Sequence, residues 1–467
     1  MRSASFALIT ALLLSGCTSP ASQPVPPSSS DRMVARSAND TLAKLQALSV
    51  QDANALSALN ASDNADATFK LDVADFQAGT PDEGVQNVVY ADYLTALSRA
   101  QAAGLDNVLP SVNLIDGLAK QINDGVYARL ELIEEQDRKA DLRRKLYQAF
   151  RAAYDAHPGD AEWQKLVVHA AASLQLAGEN PTLTPALQSA VKAELADFAA
   201  NPIESETTGF YTLNDKLSQI FQADRELHRN VALVDENNQP VDSALREAAL
   251  AGSVMASDTA LAHDYDTVST FYQKMSNPLD AFSPTAIVAL KPDNSWDDLA
   301  GQAGARQALF AKLKGALEDG MNMNFSLFPS SRSVETALFA KEQAPGGDLM
   351  GLLIGALRSG QVTMKPGADS GFYQYQEYAL QALLEPDKGL EGTKVTFGDK
   401  YMGRLEEAFK TGLTKARETQ VKQIGIGPEP TAAILPLQPK LFVEPVITVY
   451  KRYGDMYDFL ERAVLPQ

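Results

Sequence analysis

Apolar residues recur at helical spacing along most of the chain. Over 126–156, Leu130, Ile133, Leu142, Leu146, Phe150 and Tyr154 keep a period of about 3.6 residues, and His157-Pro158-Gly159 then stops the helix. Alanine-rich amphipathic stretches over 84–103, 160–177 and 184–200 predict further helices, the last two parted by Pro181 and Pro185. Antiparallel helix pairs suit these lengths and short connections. No period near about 34 residues, the mark of stacked helical repeats, emerges.

From 202 to 282 the pattern stays helical. Thr212-Leu213-Asn214-Asp215 has the spacing of a capping box, and Leu213, Leu217, Ile220, Phe221 and Leu227 supply an apolar face behind it. From 283 onward the pattern is mixed. Extended candidates at 286–290, 361–364 and 394–397 alternate with helices near 304–319, 349–358, 371–384, 400–423 and 445–463, with Pro445 in the first turn of the last. The expectation is a mainly α protein, a multi-helix body of helical hairpins with a few short strands in its C-terminal part. Its segments are an N-terminal helical domain over 36–201, a central helical segment over 202–282 and a mixed, mainly helical domain over 283–467.

The first residues read differently. One positive charge, Arg2, precedes the apolar run 6–14, which is too short to cross a bilayer and has the layout of an export signal. Residues 18–35 open on a Pro/Ser-rich stretch without apolar periodicity and suit a semi-rigid tether. The stretch Leu14-Ser15-Gly16-Cys17 resembles a bacterial lipobox. That resemblance implies cleavage of a signal peptide over 1–16 and acylation of Cys17. It also implies a membrane partner through the lipid anchor, since two or more acyl chains hold where one binds reversibly. With Thr18 rather than an aspartate after the cysteine, it implies a cell-envelope address, the outer membrane facing the periplasm or the cell surface. Gly209-Phe210-Tyr211-Thr212 resembles segments of uncharacterised secreted bacterial proteins, a likeness that carries no known chemistry.

Cys17 is the only cysteine of 467 residues, so no intramolecular disulfide forms and the fold rests on packing. A net charge of −18 disfavours nucleic acid as a partner. The basic run Arg138, Lys139, Arg143, Arg144 and Lys145, diluted by Asp137 and Asp141, reads as the wet face of a helix.

Candidate chemistry concentrates in 320–348, a polar stretch between two helical patterns with its own aromatic residues. Arg332, with Asn322 and Asn324, suits a ligand carboxylate or phosphate, which a guanidinium grips with two parallel bonds. Glu335 and Glu342 are candidate catalytic carboxylates if burial separates their pKa values. The same residues also suit a packed connector, with 333–335 opening a helix. In 371–378, Tyr373 and Tyr375 with neighbouring amides have the residue types of a sugar-binding face, but their helical spacing favours a core helix with hydroxyls at its rim.

Other constellations fail on order or context. Ser189-Ala190-Val191-Lys192 and Lys410-Thr411-Gly412 match elements of penicillin-binding proteins, but the S-x-N candidates at 62 and 111 come too early. Lys410 lies on a helical stripe, where it pairs with Glu406. No two of the four histidines lie three or four positions apart, so no metal and no cofactor is expected. His228 reads as a surface residue near a helix end, and Asp258, Asp264 and Asp266 beside His263 as a solvated acidic face. The functional expectation is an exported, membrane-anchored binding or scaffold protein, with an envelope protein or a glycan or peptide as partner. The alternative is an envelope hydrolase of glycans or peptides using the carboxylates of 320–348.

Overall fold

Helix start signals are met along the chain. Asp160 caps α3 (Ala161–Leu176) by accepting from Glu162 N and Trp163 N. Thr184, with Pro185 behind it, caps α4 (Pro185–Ala200). Ser295 and Asp298 form a reciprocal capping box on the short helix 296–301. A computed structural model describes residues 112–335, 338, 347–385, 399–420 and 447–465, together with strand segments at 68–73, 76–77, 85–86, 89–90, 395–397 and 441–442.

The protein is mainly α. Helix α1 (Val112–Glu134) passes through a π-helical turn, Glu135–Lys139, into α2 (Ala140–Ala156). After α3, α4 and the short α5 (Pro202–Ser205) comes α6 (Asp215–Leu227). The pair α7 (Asp242–Ser257) and α8 (Thr259–Met275) follows, then α9 (Pro284–Ala289), α10 (Trp296–Gly301) and α11 (Ala303–Gly315). The C-terminal part holds α12 (Leu349–Ser359), α13 (Phe372–Gln381), α14 (Asp399–Thr419) and α15 (Ile447–Phe459).

Helix α3 is the hub of one half. It packs on α2, α4, α6 and α7, and its alanines (Ala170, Ala171, Ala172) are buried, which lets neighbouring backbones approach closely. In the other half α13 packs on α14 and α15, and α14 returns to α1. A single cluster of buried apolar side chains runs from Val112 to Val464. Strands are short: β1 (Thr68–Val73) pairs antiparallel with β2 (Phe76–Gln77), β3 (Val85–Gln86) and β7 (Val395–Phe397). β4 (Val89–Tyr90) pairs with β8 (Leu441–Phe442), and β5 (Val231–Ala232) with β6 (Asn324–Phe325).

Several local expectations change. Strands β3 and β4 fall inside the expected helix 84–103, where valine and tyrosine favour a pleated backbone. The stretch 286–290 is mostly helix α9, because Ser283 and Pro284 initiate a helix there. Helix α6 is capped not by Thr212 but by Asn214, whose Oδ1 accepts from Leu217 N at 2.9 Å. Thr212 instead donates to Gly209 O, and Leu213 points to solvent at 63% exposure.

The largest correction concerns the basic run across the π turn and α2. Lys139 and Arg143 are buried, at 2% exposure each. Lys139 Nζ uses all three protons, donating to Glu131 Oε2 (2.8 Å), Asp224 Oδ2 (2.7 Å) and Tyr272 OH (2.6 Å). Tyr272 and Tyr211 each donate to Glu131, at 2.7 and 2.8 Å. Arg143 grips both oxygens of Glu135 and reaches Asp224 Oδ1 at 3.3 Å, while Lys216 comes in to Glu135 at 3.1 Å. Glu131, Glu135, Lys139 and Arg143 stand four residues apart. In an ideal α-helix that spacing drifts by about 40° per step. The wider π turn takes up part of the drift and keeps all four facing inward.

Candidate functional site

The connector 276–283 is the meeting point of the two stretches that carried the sequence candidates. On one side Tyr373 N donates to Ser276 O (3.1 Å) and Gly371 N to Asn277 Oδ1 (3.3 Å), tying down the start of α13. On the other, Arg332 N donates to Pro278 O and Asp280 N to Ser330 O, both at 2.9 Å. Asn322 N donates to Asp280 O at 2.7 Å, and Phe282 N to Asn324 O at 2.9 Å. The polar loop is therefore a packed, nearly sheet-like connection, and Phe325 and Phe328 anchor it in the core.

Four buried polar atoms gather along this seam: Asp280 Oδ1, Ser330 Oγ, Asn277 Nδ2 and Arg332 Nη1. None has a hydrogen-bond partner among the described residues. Of the four, Ser330 also lines a cavity of about 10 Å³, together with His228, Ser269, Tyr272, Ser276 and Phe328. That is room for one water. Burial raises the Asp280 carboxyl to about 7 against the pull of Arg332 and Arg225. Near neutral pH this group can give or take a proton, while Arg332 and Asn277 supply donors and Ser330 either role. The cavity at Ser330 can therefore hold one water. Anything larger requires 329–332 to move.

Of the sequence candidates, Arg332 alone contributes a side chain to this cluster, and its other nitrogen pairs with Glu318 at the surface. Asn322 is exposed, and Asn324 sits half-buried in β6. Tyr373 is turned into the core, 1% exposed, with its ring 5.9 Å from that of Tyr127. Tyr375 stacks on Phe459 at 4.4 Å. Glu335, 7% exposed, is held by Arg417 at 2.5 Å, and burial pushes its carboxyl upward against that arginine. Glu342 and the lipidation candidate Cys17 lie outside the described residues. His228, expected at the surface, does end α6 but is buried, with Nδ1 on Phe328 O. Asp280 was not legible as a site residue, because Asn277-Pro278-Leu279-Asp280 reads as an ordinary turn.

Set against models of known families, curated proteins and solved structures, the chain matches none. The site's chemistry therefore stands on its own geometry.

Asp280 makes one expectation concrete. Its folded pKa lies above the unfolded value, so its contribution is fully present below about pH 4 and is lost as pH rises through about 7. Asp280→Asn is expected to raise the melting temperature at pH 8, where ionising the buried acid costs up to about 4 kcal/mol, and to raise it much less at pH 5, where the cost is roughly 1.5 kcal/mol. Melting curves of both proteins at the two pH values check this. An equal difference at both would contradict it.

Proposed function

We propose that the chain is an exported lipoprotein, held to a membrane by acyl chains on Cys17, whose helical body binds an envelope component rather than transforming it. The anchor reading is supported by Leu14-Ser15-Gly16-Cys17 directly behind a short apolar run. Among the described residues no helix is long and apolar enough to cross a membrane.

The observation that carries binding over turnover is the state of Glu335. A hydrolytic acid or base has to reach the bond it attacks. Glu335 is buried, and Arg417 holds its Oε2, so a substrate would first have to open the packing around the other oxygen, Oε1. The same loop presents Asn322 and the Arg332–Glu318 pair outward, which suits surface recognition.

The test is a panel of peptidoglycan fragments, other glycans and peptides, scored for thermal shift and for turnover with the full chain. A ligand at about 100 times its Kd adds about 2.7 kcal/mol of stability. A shift without turnover, weakened in Arg332→Ala, is the expected result. Turnover of any panel member that Glu335→Gln abolishes would replace this reading with the hydrolase.

A further inference from the structure

His169 played no part in the expectations above, yet three helices converge on it. It lies on α3. Glu194 comes from α4 and Glu226 from the last turn of α6. Nδ1 of His169 is 2.7 Å from Glu226 Oε1 and 3.6 Å from Glu194 Oε1, and the three donor atoms lie within 4.8 Å of one another. In tetrahedral coordination with bonds of about 2.0–2.2 Å, neighbouring donors stand roughly 3.3 Å apart. The trio is thus near coordination distance before any ion enters.

A second observation points the same way. Glu226 is 1% exposed, and its Oε2 has no hydrogen-bond partner. Arg229 Nη1 stands 3.9 Å from it. A buried carboxylate oxygen left in that state costs free energy, and a cation would recover it.

The surrounding charge favours a cation as well. Facing His169 are Glu194, Glu226 and, from α7, the buried Glu247, which Lys165 approaches at 3.6 Å. Arg229 touches Glu194 but also holds Asp197 at 2.6 Å and Glu204 at 3.6 Å. If an ion took Glu194, Arg229 would keep two acidic partners.

We propose that His169, Glu194 and Glu226 form a site for one divalent transition-metal ion of the zinc class, pinning α3, α4 and α6 together, with water completing the coordination. Imidazole nitrogen with two carboxylates is a borderline donor set that suits zinc better than calcium or magnesium, which take oxygen alone. The ion takes the place of the Nδ1 proton now shared with Glu226. That proton leaves to solvent, and no oxidation state changes.

The full chain, solubilised in detergent and stripped with a chelator, should be titrated with ZnCl₂ by calorimetry and with CoCl₂ by visible absorption. One ion per chain is expected, with a cobalt d–d band. His169→Ala and the partly exposed Glu194→Gln should each weaken binding at least about tenfold. His263→Ala, on the exposed face of α8, should bind as wild type does. Circular dichroism shows whether the variants stay folded, and Glu194→Gln serves if His169→Ala does not. Absence of saturable zinc binding by wild type would overturn the proposal. So would binding that survives Glu194→Gln undiminished, or equal displacement by magnesium.

Discussion

Lys139→Met should destabilise the protein by about 3–5 kcal/mol, the usual cost of breaking a buried ion pair from one side. The substitution keeps most of the side-chain volume, so the loss is electrostatic. It leaves Glu131 and Asp224 buried, with Arg143 as the nearby buried cation. Burial lowers the Lys139 pKa, but Asp224, Glu131 and Glu135 together raise it above the usual lysine value, so the side chain is charged near neutral pH. Chemical denaturation of wild type and variant reads the effect directly. A second comparison isolates its cause. If stranded carboxylates carry the cost, adding Glu131→Gln and Asp224→Asn to Lys139→Met should recover part of it. A loss below about 1 kcal/mol for the single variant would place Lys139 on the wet face after all.

Gly371→Ala is the second large effect, and helix propensity points the wrong way for it. Gly371 is the N-cap of α13 with φ −94°, a conformation open to any residue. Space is what forbids the side chain. A Cβ there would stand 2.1 Å from Ser276 O and 2.2 Å from Gln273 O, both backbone atoms at the end of α8. Because those carbonyls cannot swing aside, α13 has to move off the connector. The expected loss is about 3 kcal/mol or more. Gly355→Ala is the matched control: it lies within α12 with open space around its Cα, and alanine there should stabilise by about 0.5–1 kcal/mol. Melting temperatures moving in opposite directions are the expected outcome. Equal shifts would mean that the contact at Ser276 is not tight.

Helices with one apolar stripe and a clear stop were legible from sequence, as the α2 stripe ending at His157 shows. So was the mainly helical class. What escaped was polarity that faces inward. Glu131 and Glu135 followed by Lys139 and Arg143 place opposite charges on one helix edge, a pattern shared with any solvent-exposed helix. Only the partners Asp224 and Tyr272, from distant parts of the chain, make it an interior network, and pairing at that separation leaves no local signal. His169 carries no local signal for the same reason. Its companions arrive from α4 and α6 rather than from a neighbouring turn, so helical spacing around the histidine does not reveal them. Asp280 hid in a turn-like tetrapeptide that the fold buries between a loop and a helix. Arg332 was legible as the loop's notable cation, although half of its guanidinium serves Glu318.

The most direct test of the account concerns the anchor. Wild type and Cys17→Ala would be expressed as full chains in a bacterial host fed an alkyne-tagged fatty acid, then fractionated. Wild type is expected to carry the label and float with membranes, and Cys17→Ala to lose both. Wild type without label, or Cys17→Ala that still carries it and floats, would contradict the reading of this chain as a lipid-anchored envelope protein.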